Sequence, residues 1–172
     1  SWYKSLDKPR VTGEGIIKED LKVLSPRGSV LKRIEAAGLT SDQAGYLWMD
    51  DSLGLILDKL DELKLTENTL VLFIADHGSG HKGSLYKAKG TEVPCIMRWP
   101  AGMKAGVRTQ ELIQNTDFVP TWFELAGVKK PAKYQMDGVS LRALFQEPHK
   151  PVRKHVYAEI GAARSIKTKD HS

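Results

Sequence analysis

Thr69-Leu70-Val71-Leu72-Phe73-Ile74-Ala75-Asp76-His77-Gly78 carries a run of β-prone and apolar residues straight into an acid, an imidazole and a glycine. A short continuous apolar run suits a strand buried on both faces, as in a parallel sheet. In open α/β sheets the ligand crevice lies beyond the carboxyl ends of such strands. Asp76 and His77 fall at that end, and Gly78 lets the backbone turn there. A carboxylate beside an imidazole is a metal half-site, since both are common ligands of divalent ions. Lys82, a few residues on, is a compact cation suited to an anionic group beside the metal. An Asp at a strand end also caps turns, and a lone His is commonly a satisfied polar side chain, so the flanking sequence has to decide.

Upstream, Thr40 with Gln43 three residues later forms a capping box, and Ser41 and Asp42 suit the positive end of a helix dipole. Tyr46, Met49, Leu53, Ile56, Leu60 and Leu63 then recur in steps of three and four, which is one helical face. Leu47, Trp48, Leu55 and Leu57 widen it. This predicts a helix from about Ser41 to Lys64, packed as scaffold on one face of the strand at 69–75. Asp50 and Asp51 sit mid-helix on different faces, which argues against a shared metal. Thr66-Glu67-Asn68 is the turn between helix and strand. Residues 1–37 are punctuated by Pro9, Gly13, Gly15, Pro26 and Gly28 and read as loops with one or two short helices, at Lys18 to Leu24 and Ser29 to Ala37. Gly38 fits the C′ position that ends the second.

Downstream, Ser79-Gly80-His81-Lys82-Gly83-Ser84 is glycine-rich, so main-chain amides and Lys82 could close on an anion. Val93 to Arg98 reads as a second buried strand, ended by Trp99-Pro100-Ala101-Gly102. Gln110 to Gln114 reads as a third, short strand. Asn115 or Thr116 caps a helix through Ala126, with Asp117 in its first turn and Gly127 ending it. Residues 129–138 form a loop, Ser140 to Phe145 a short helix, and Pro148 to Pro151 a linker. Val152 to Ile160 and Arg164 to Thr168 alternate and pair as a hairpin.

Taken in order, these blocks carry a resemblance. Asp50-Asp51-Ser52-Leu53-Gly54, Leu57 to Leu63, Asn68 to Phe73, Asp76-His77-Gly78, Lys82-Gly83-Ser84-Leu85-Tyr86 and Val93 to Pro100 resemble the sulfatases of the alkaline phosphatase superfamily. The likeness is close over about residues 38–128. It is looser at Arg164 to Lys169, similar to a late sulfatase strand. It implies an α/β fold: an alkaline-phosphatase-like mixed sheet with helices on both faces, leading into a small antiparallel sheet. On that reading 1–147 is the C-terminal part of the sulfatase α/β domain and 148–172 the start of a small subdomain. The resemblance implies hydrolysis of a sulfate ester, aryl or carbohydrate, with one divalent cation, most commonly calcium. Asp76 and His77 take the places of its ligands, and Lys82 that of the sulfate-binding lysine.

The departures from the family pattern set limits. The family nucleophile is a formylglycine made in a Cys/Ser-x-Pro-x-Arg motif, and nothing in this sequence fits. Cys95-Ile96-Met97-Arg98 lacks the proline, and Ser25-Pro26-Arg27 is compressed and misplaced. The paired acidic ligands of the family's first strand are absent, as is its His-x-Pro-type segment. The chain therefore reads as half of an active site, with no catalytic nucleophile of its own. The formylglycine is expected in an N-terminal half of the same protein. After Tyr86, Lys87 stands where an acid is usual and Glu92 where a base is usual. Lys89 is thus a second candidate for the anion site.

The remaining bounds are broad. With 172 residues, 41% hydrophobic and 27% charged, the chain can bury a real core. No run approaches the ~18–20 apolar residues of a membrane span. It shows neither an initiator Met nor a signal-peptide pattern, and so reads as a mature or excised piece. An extracytoplasmic setting follows from the resemblance alone. One cysteine, Cys95, excludes an internal disulfide framework and reads as a buried, inert thiol. The net charge of +5 comes from Lys and Arg scattered among acids, without a nucleic-acid-binding motif. Two alternatives stay open: a phosphoester hydrolase of the same superfamily using zinc, and a non-catalytic module that binds polyanions.

Overall fold

The elements follow from local chemistry. The computed structural model describes residues 10–12, 15–17, 27–78, 82–87 and 89–170. The expected helix at Lys18 to Leu24 lies outside them. Two units, Ser1–Thr66 and Glu67–Ser172, are distinguished by their internal contacts.

In the first unit, β1 (Arg10–Thr12) and β2 (Gly15–Ile17) pair antiparallel, Thr12 opposite Gly15. Loops and short helices were expected there. Gly15, which read as loop punctuation, instead opens β2 with a φ of 103°. Helix α1 spans Arg27–Ala36 and ends as expected at Gly38, whose φ is 68°. The Gly38 amide donates to the Glu35 carbonyl and the Leu39 amide to the Ile34 carbonyl, each at 3.0 Å, which is a Schellman motif.

Helix α2 (Ala44–Glu62) follows a turn of 3-10 helix at Ser41–Gln43. The capping box is present: the Thr40 amide donates to Gln43 Oε1 at 3.1 Å. The core of this unit is Val30, Ile34 and Ala44, with Leu31, Leu47 and Trp48 packed against it. This corrects the face read from periodicity, because Tyr46, Met49, Ile56 and Leu63 are exposed. The helix is apolar on more than one side, and α1 takes the side bearing Ala44, Leu47 and Trp48. Asp51 is no metal ligand in waiting. Its two oxygens each accept from the Arg33 guanidinium at 2.8 Å, clamping α2 to α1. Helix α2 also ends in a Schellman motif, but Lys64 rather than glycine takes the left-handed position, with a φ of 57°.

In the second unit, a 3-10 turn at Thr66–Asn68 begins where the first ends and leads into β3 (Val71–Ile74). It pairs antiparallel with β4 (Cys95–Arg98), Val71 opposite Arg98 and Ile74 opposite Cys95. The expectation of parallel pairing and burial on both faces is corrected here. Val71, Leu72 and Phe73 are half-buried, and β4 is the partner of β3 among the described residues. Leu70 and Leu72, two apart and so on one face, line a groove of about 390 Å³ with Asn68, Trp99, Trp122, Leu125 and Ala126. Beyond β4 the chain turns at Trp99 to Met103. Trp99 meets Phe145 edge to face, with ring centroids 6.2 Å apart.

Gln110 to Gln114 is irregular, not a strand. Its polar groups are taken by side chains and turns: the Glu111 amide donates to Thr109 Oγ1 and the Gln114 amide to Asp117 Oδ2. Helix α3 (Phe118–Leu125) follows a 3-10 turn at Asn115–Asp117 and ends at Gly127, φ 64°, as expected. Asp117 is fully buried and holds three segments together. Its Oδ2 accepts from the Gln114 amide at 2.8 Å and its Oδ1 from the Val139 amide at 2.9 Å, while Arg153 pairs with Oδ1. Thr121, one turn on and also fully buried, donates to the Asp117 carbonyl at 2.6 Å and accepts from the Leu141 amide at 2.9 Å. These bonds seat the short α4 (Arg142–Gln146), whose Leu141 and Phe145 are buried. The chain closes with a hairpin of β5 (Val156–Ile160) and β6 (Ala163–Lys167). Gly161, at φ 55°, takes the first position of its two-residue turn.

Candidate functional site

The ladder delivers the polar residues at the end of β3. The Ala75 amide donates to the Pro94 carbonyl at 3.3 Å, extending the pairing one step past Ile74. Asp76 and His77 follow where the pairing stops. The Asp76 side chain is 86% exposed and that of His77 36% exposed. Asp76 Oδ1 stands 3.8 Å from His77 Nε2. His77 Nδ1 lies 2.9 Å from the Gly78 carbonyl oxygen. The carbonyl can only accept, so Nδ1 donates in that bond and Nε2 is the ring nitrogen turned toward Asp76. Carboxylate oxygen and imidazole nitrogen thus lie close enough to bind one ion between them, at the ~2.0–2.6 Å of ordinary divalent metal bonds. Among the described residues no third His, Cys, Asp or Glu joins them.

Among the described residues, backbone hydrogen bonds fasten the lysine loop to this strand end. The Gly90 carbonyl accepts the Gly78 amide at 3.3 Å and the Gly83 amide at 3.0 Å. The Gly90 amide donates to the Lys87 carbonyl at 3.1 Å. Gly78 and Gly90 are buried, and neither tolerates a side chain. A Cβ on Gly78 would overlap the Lys89 carbonyl, and one on Gly90 the Ser84 carbonyl. Within the loop Leu85 is buried, while Lys82, Lys87 and Lys89 are exposed. Lys89 adopts a φ of 61°, rare for a residue with a side chain. Sequence reasoning named Asp76, His77 and Lys82 but not the part played by Gly90, which is visible only once the loop folds back. A glycine twelve residues beyond Gly78 was the sole available signal.

Two other candidates resolve differently. Cys95 is half-buried, and burial pushes its thiol above the usual value, as expected of an inert cysteine. Glu92, the acid where the family carries a base, faces Lys167 of β6 at 3.5 Å. Lys169 likewise reaches Glu111 at 2.6 Å, and the Tyr157 amide reaches Gln114 Oε1 at 3.3 Å. These contacts hold the terminal hairpin beside the segments that follow the lysine loop.

The fold and the strand-end pair define an α/β protein with a polar site at the mouth of a short sheet. The chain belongs to the sulfatase family: the family model "Sulfatase" matches residues 20–128. An ulvan-active sulfatase of Formosa agariphila is 41% identical over 99 residues, 58% of this chain and 19% of that protein. Human steryl-sulfatase is 35% identical over 117 residues, 57% of this chain and 20% of that protein. The solved structure of BT4656 in complex with its substrate D-glucosamine-2-N,6-O-disulfate superposes with a TM-score of 0.61 at 27% identity, covering 73% of this chain and 28% of that one. The chain thus spans about a fifth of the length of the curated relatives it matches. The fold is the alkaline-phosphatase-like α/β fold of this family, and a small antiparallel hairpin follows it, as expected.

Proposed function

We propose that this chain carries the metal-binding and sulfate-binding side of a sulfuric ester hydrolase site. Asp76 and His77 hold a divalent cation, calcium by family resemblance, and Lys82 holds the sulfate. The observation that carries this is the pairing of Asp76 Oδ1 and His77 Nε2 at 3.8 Å, with Nδ1 committed to the Gly78 carbonyl, inside the family match. A bound cation supplies positive charge beside the sulfate oxygens and so favours charge developing on them. Lys82 adds a second positive group, and the His77 ring is oriented by its backbone bond. The chain has no Cys/Ser-x-Pro-x-Arg motif. The formylglycine nucleophile and the remaining ligands belong, on this reading, to an N-terminal half of the same protein. A cation of calcium's kind wants about six to eight oxygens, far more than this pair offers.

A second reading rests on the imidazole. Nitrogen donors suit zinc better than calcium, which would fit a phosphoester hydrolase of the same superfamily. Metal analysis of the purified full-length protein separates the two. The test of the main reading is Asp76→Ala against Asp51→Ala in that protein. Asp76→Ala should remove metal-dependent hydrolysis of a chromogenic aryl sulfate, by at least ~100-fold, since even groups behind a metal ligand cost 10–100-fold. Asp51→Ala should keep the turnover of the folded fraction. Equal metal loss in both variants, with the fold intact, would refute the assignment.

A further inference from the structure

We propose that the backbone interlock of Gly78, Gly83 and Gly90 is the positioning element of this site, fixing the anion-binding lysine against the metal pair. The inference rests on the reading of Lys82 and Asp76 given above. Asp76 and His77 end a strand, whereas Lys82 sits on an excursion that rejoins the sheet only at β4. No described side-chain hydrogen bond or ion pair joins that excursion to Asp76 or His77. The Gly90 carbonyl does the joining, because it accepts one amide from each side: Gly78 beside the metal pair and Gly83 beside Lys82. One oxygen thereby sets the separation of the two charged ends.

Three further observations make this a built feature. Gly78 and Gly90 are both buried, and each is closed to a side chain by backbone of the opposite strand of the excursion. Gly83 holds a φ of 70° to aim its amide. Lys89, next to Gly90, holds a left-handed backbone at φ 61°. Such strain is kept where the surroundings over-determine it. Gly90 is a positioning residue: it acts through Lys82 and touches no substrate.

A positioning role makes a prediction that general destabilisation does not. If Gly90 matters by placing Lys82, its loss should hurt little once the cation is already misplaced. The experiment is a double-mutant cycle in the full-length protein, reading kcat/KM for a chromogenic aryl sulfate at matched folded concentration. Gly90→Ala should lower kcat/KM by about 100-fold in the wild-type background, the cost of displacing a reacting partner by about 1 Å. In a Lys82→Arg background, where charge is kept and its reach changed, the same substitution should cost less than about 10-fold. An equal factor in both backgrounds would overturn the proposal, as would a Lys82→Arg variant as active as wild type. Gly83→Ala gives a milder arm, because its Cβ meets open space and only the positive φ is penalised. It should show the same non-additivity and decides the question alone if Gly90→Ala fails to fold. A wild-type protein inactive on every sulfate ester would instead refute the sulfatase reading itself.

Discussion

Replacing Asp117 by Asn should be the most damaging isosteric change in this chain. The carboxylate is fully buried, and its partner Arg153 keeps only 12% of its side-chain surface exposed. Both oxygens are used: Oδ2 by the Gln114 amide at 2.8 Å, and Oδ1 by the Val139 amide at 2.9 Å and by Arg153. An asparagine offers one acceptor and one donor in that place. If its oxygen faces Val139 and Arg153, its NH₂ confronts the Gln114 amide, donor against donor. If it turns over, the NH₂ confronts the Val139 amide and a guanidinium. Either way a buried cation loses its counter-charge, and Arg153 Nε already has no hydrogen-bond partner. Removing one member of a buried pair costs about 3–5 kcal/mol. At roughly 2–4 °C per kcal/mol for a chain of this size, the melting temperature should fall by about 6–20 °C. Urea and thermal unfolding of the folded protein measure it. The paired change Asp117→Leu with Arg153→Met should recover only part of the loss, since it removes the unpaired charge but leaves the Gln114 and Val139 amides without their acceptor. A melting temperature for Asp117→Asn within about 2 °C of wild type would show that the pair is not held as described.

Thr121→Val leaves the buried Leu141 amide without an acceptor and should cost about 1–3 kcal/mol, read by the same unfolding curves. Asp76→Ala removes a side chain that is 86% exposed and should change stability by no more than ~0.5 kcal/mol, so its effect on turnover is not a folding effect. Lys64→Gly should stabilise by up to about 1 kcal/mol, because glycine meets no penalty in the left-handed position that ends α2. The Asp42 carboxyl is held below its ordinary value, chiefly by the Thr40 hydroxyl and then by its own backbone amide. A depressed carboxylate stabilises above its unfolded pKa and loses that contribution as pH falls through the folded one. Thr40→Val should therefore raise the Asp42 titration midpoint, followed by carboxyl NMR, and flatten the acid side of the stability profile. Cys95, its thiol raised by burial, should react with a disulfide reagent at pH 8 more slowly than free cysteine, and a rate equal to free cysteine would contradict its placement.

Where the chain's instructions are local, they were legible. Gly38 and Gly127 mark the ends of α1 and α3 because a left-handed residue is cheap only for glycine, and both take it. The Thr40 and Gln43 box lies three residues apart, within reach of its own amides. The terminal hairpin is written in its alternation. The strand-end pair could be placed because an apolar run has to stop somewhere, and its polar residues then meet solvent. What escaped was non-local or ambiguous by symmetry. Asp117 reads as a first-turn acid, which it is, but its other partners lie 22 and 36 residues away. Helix α2 offers apolar residues on more than one side, so periodicity could not say which side α1 would cover. Gln110 to Gln114 has strand-like residues, yet nearby hydroxyl and carboxylate groups claim its amides first. The glycine interlock depends on two backbones meeting twelve residues apart, which no spacing rule anticipates.

The tethers around Asp117 have a practical consequence for the loop at residues 129–138. The excursion departs from the C-terminal end of α3 and comes home to the same helix, since Val139 and Leu141 are tied to Asp117 and Thr121. Its two anchor points therefore belong to one rigid body, whatever runs between them. Lengthening such a loop costs little, about 0.6 kcal/mol for each doubling. Residues 129–135 are all exposed, while Gly138 must stay as it is because a side chain there would strike the Thr116 carbonyl. An epitope or reporter peptide spliced between Lys130 and Lys133 should ride on the surface without moving α3, α4 or the strand-end site.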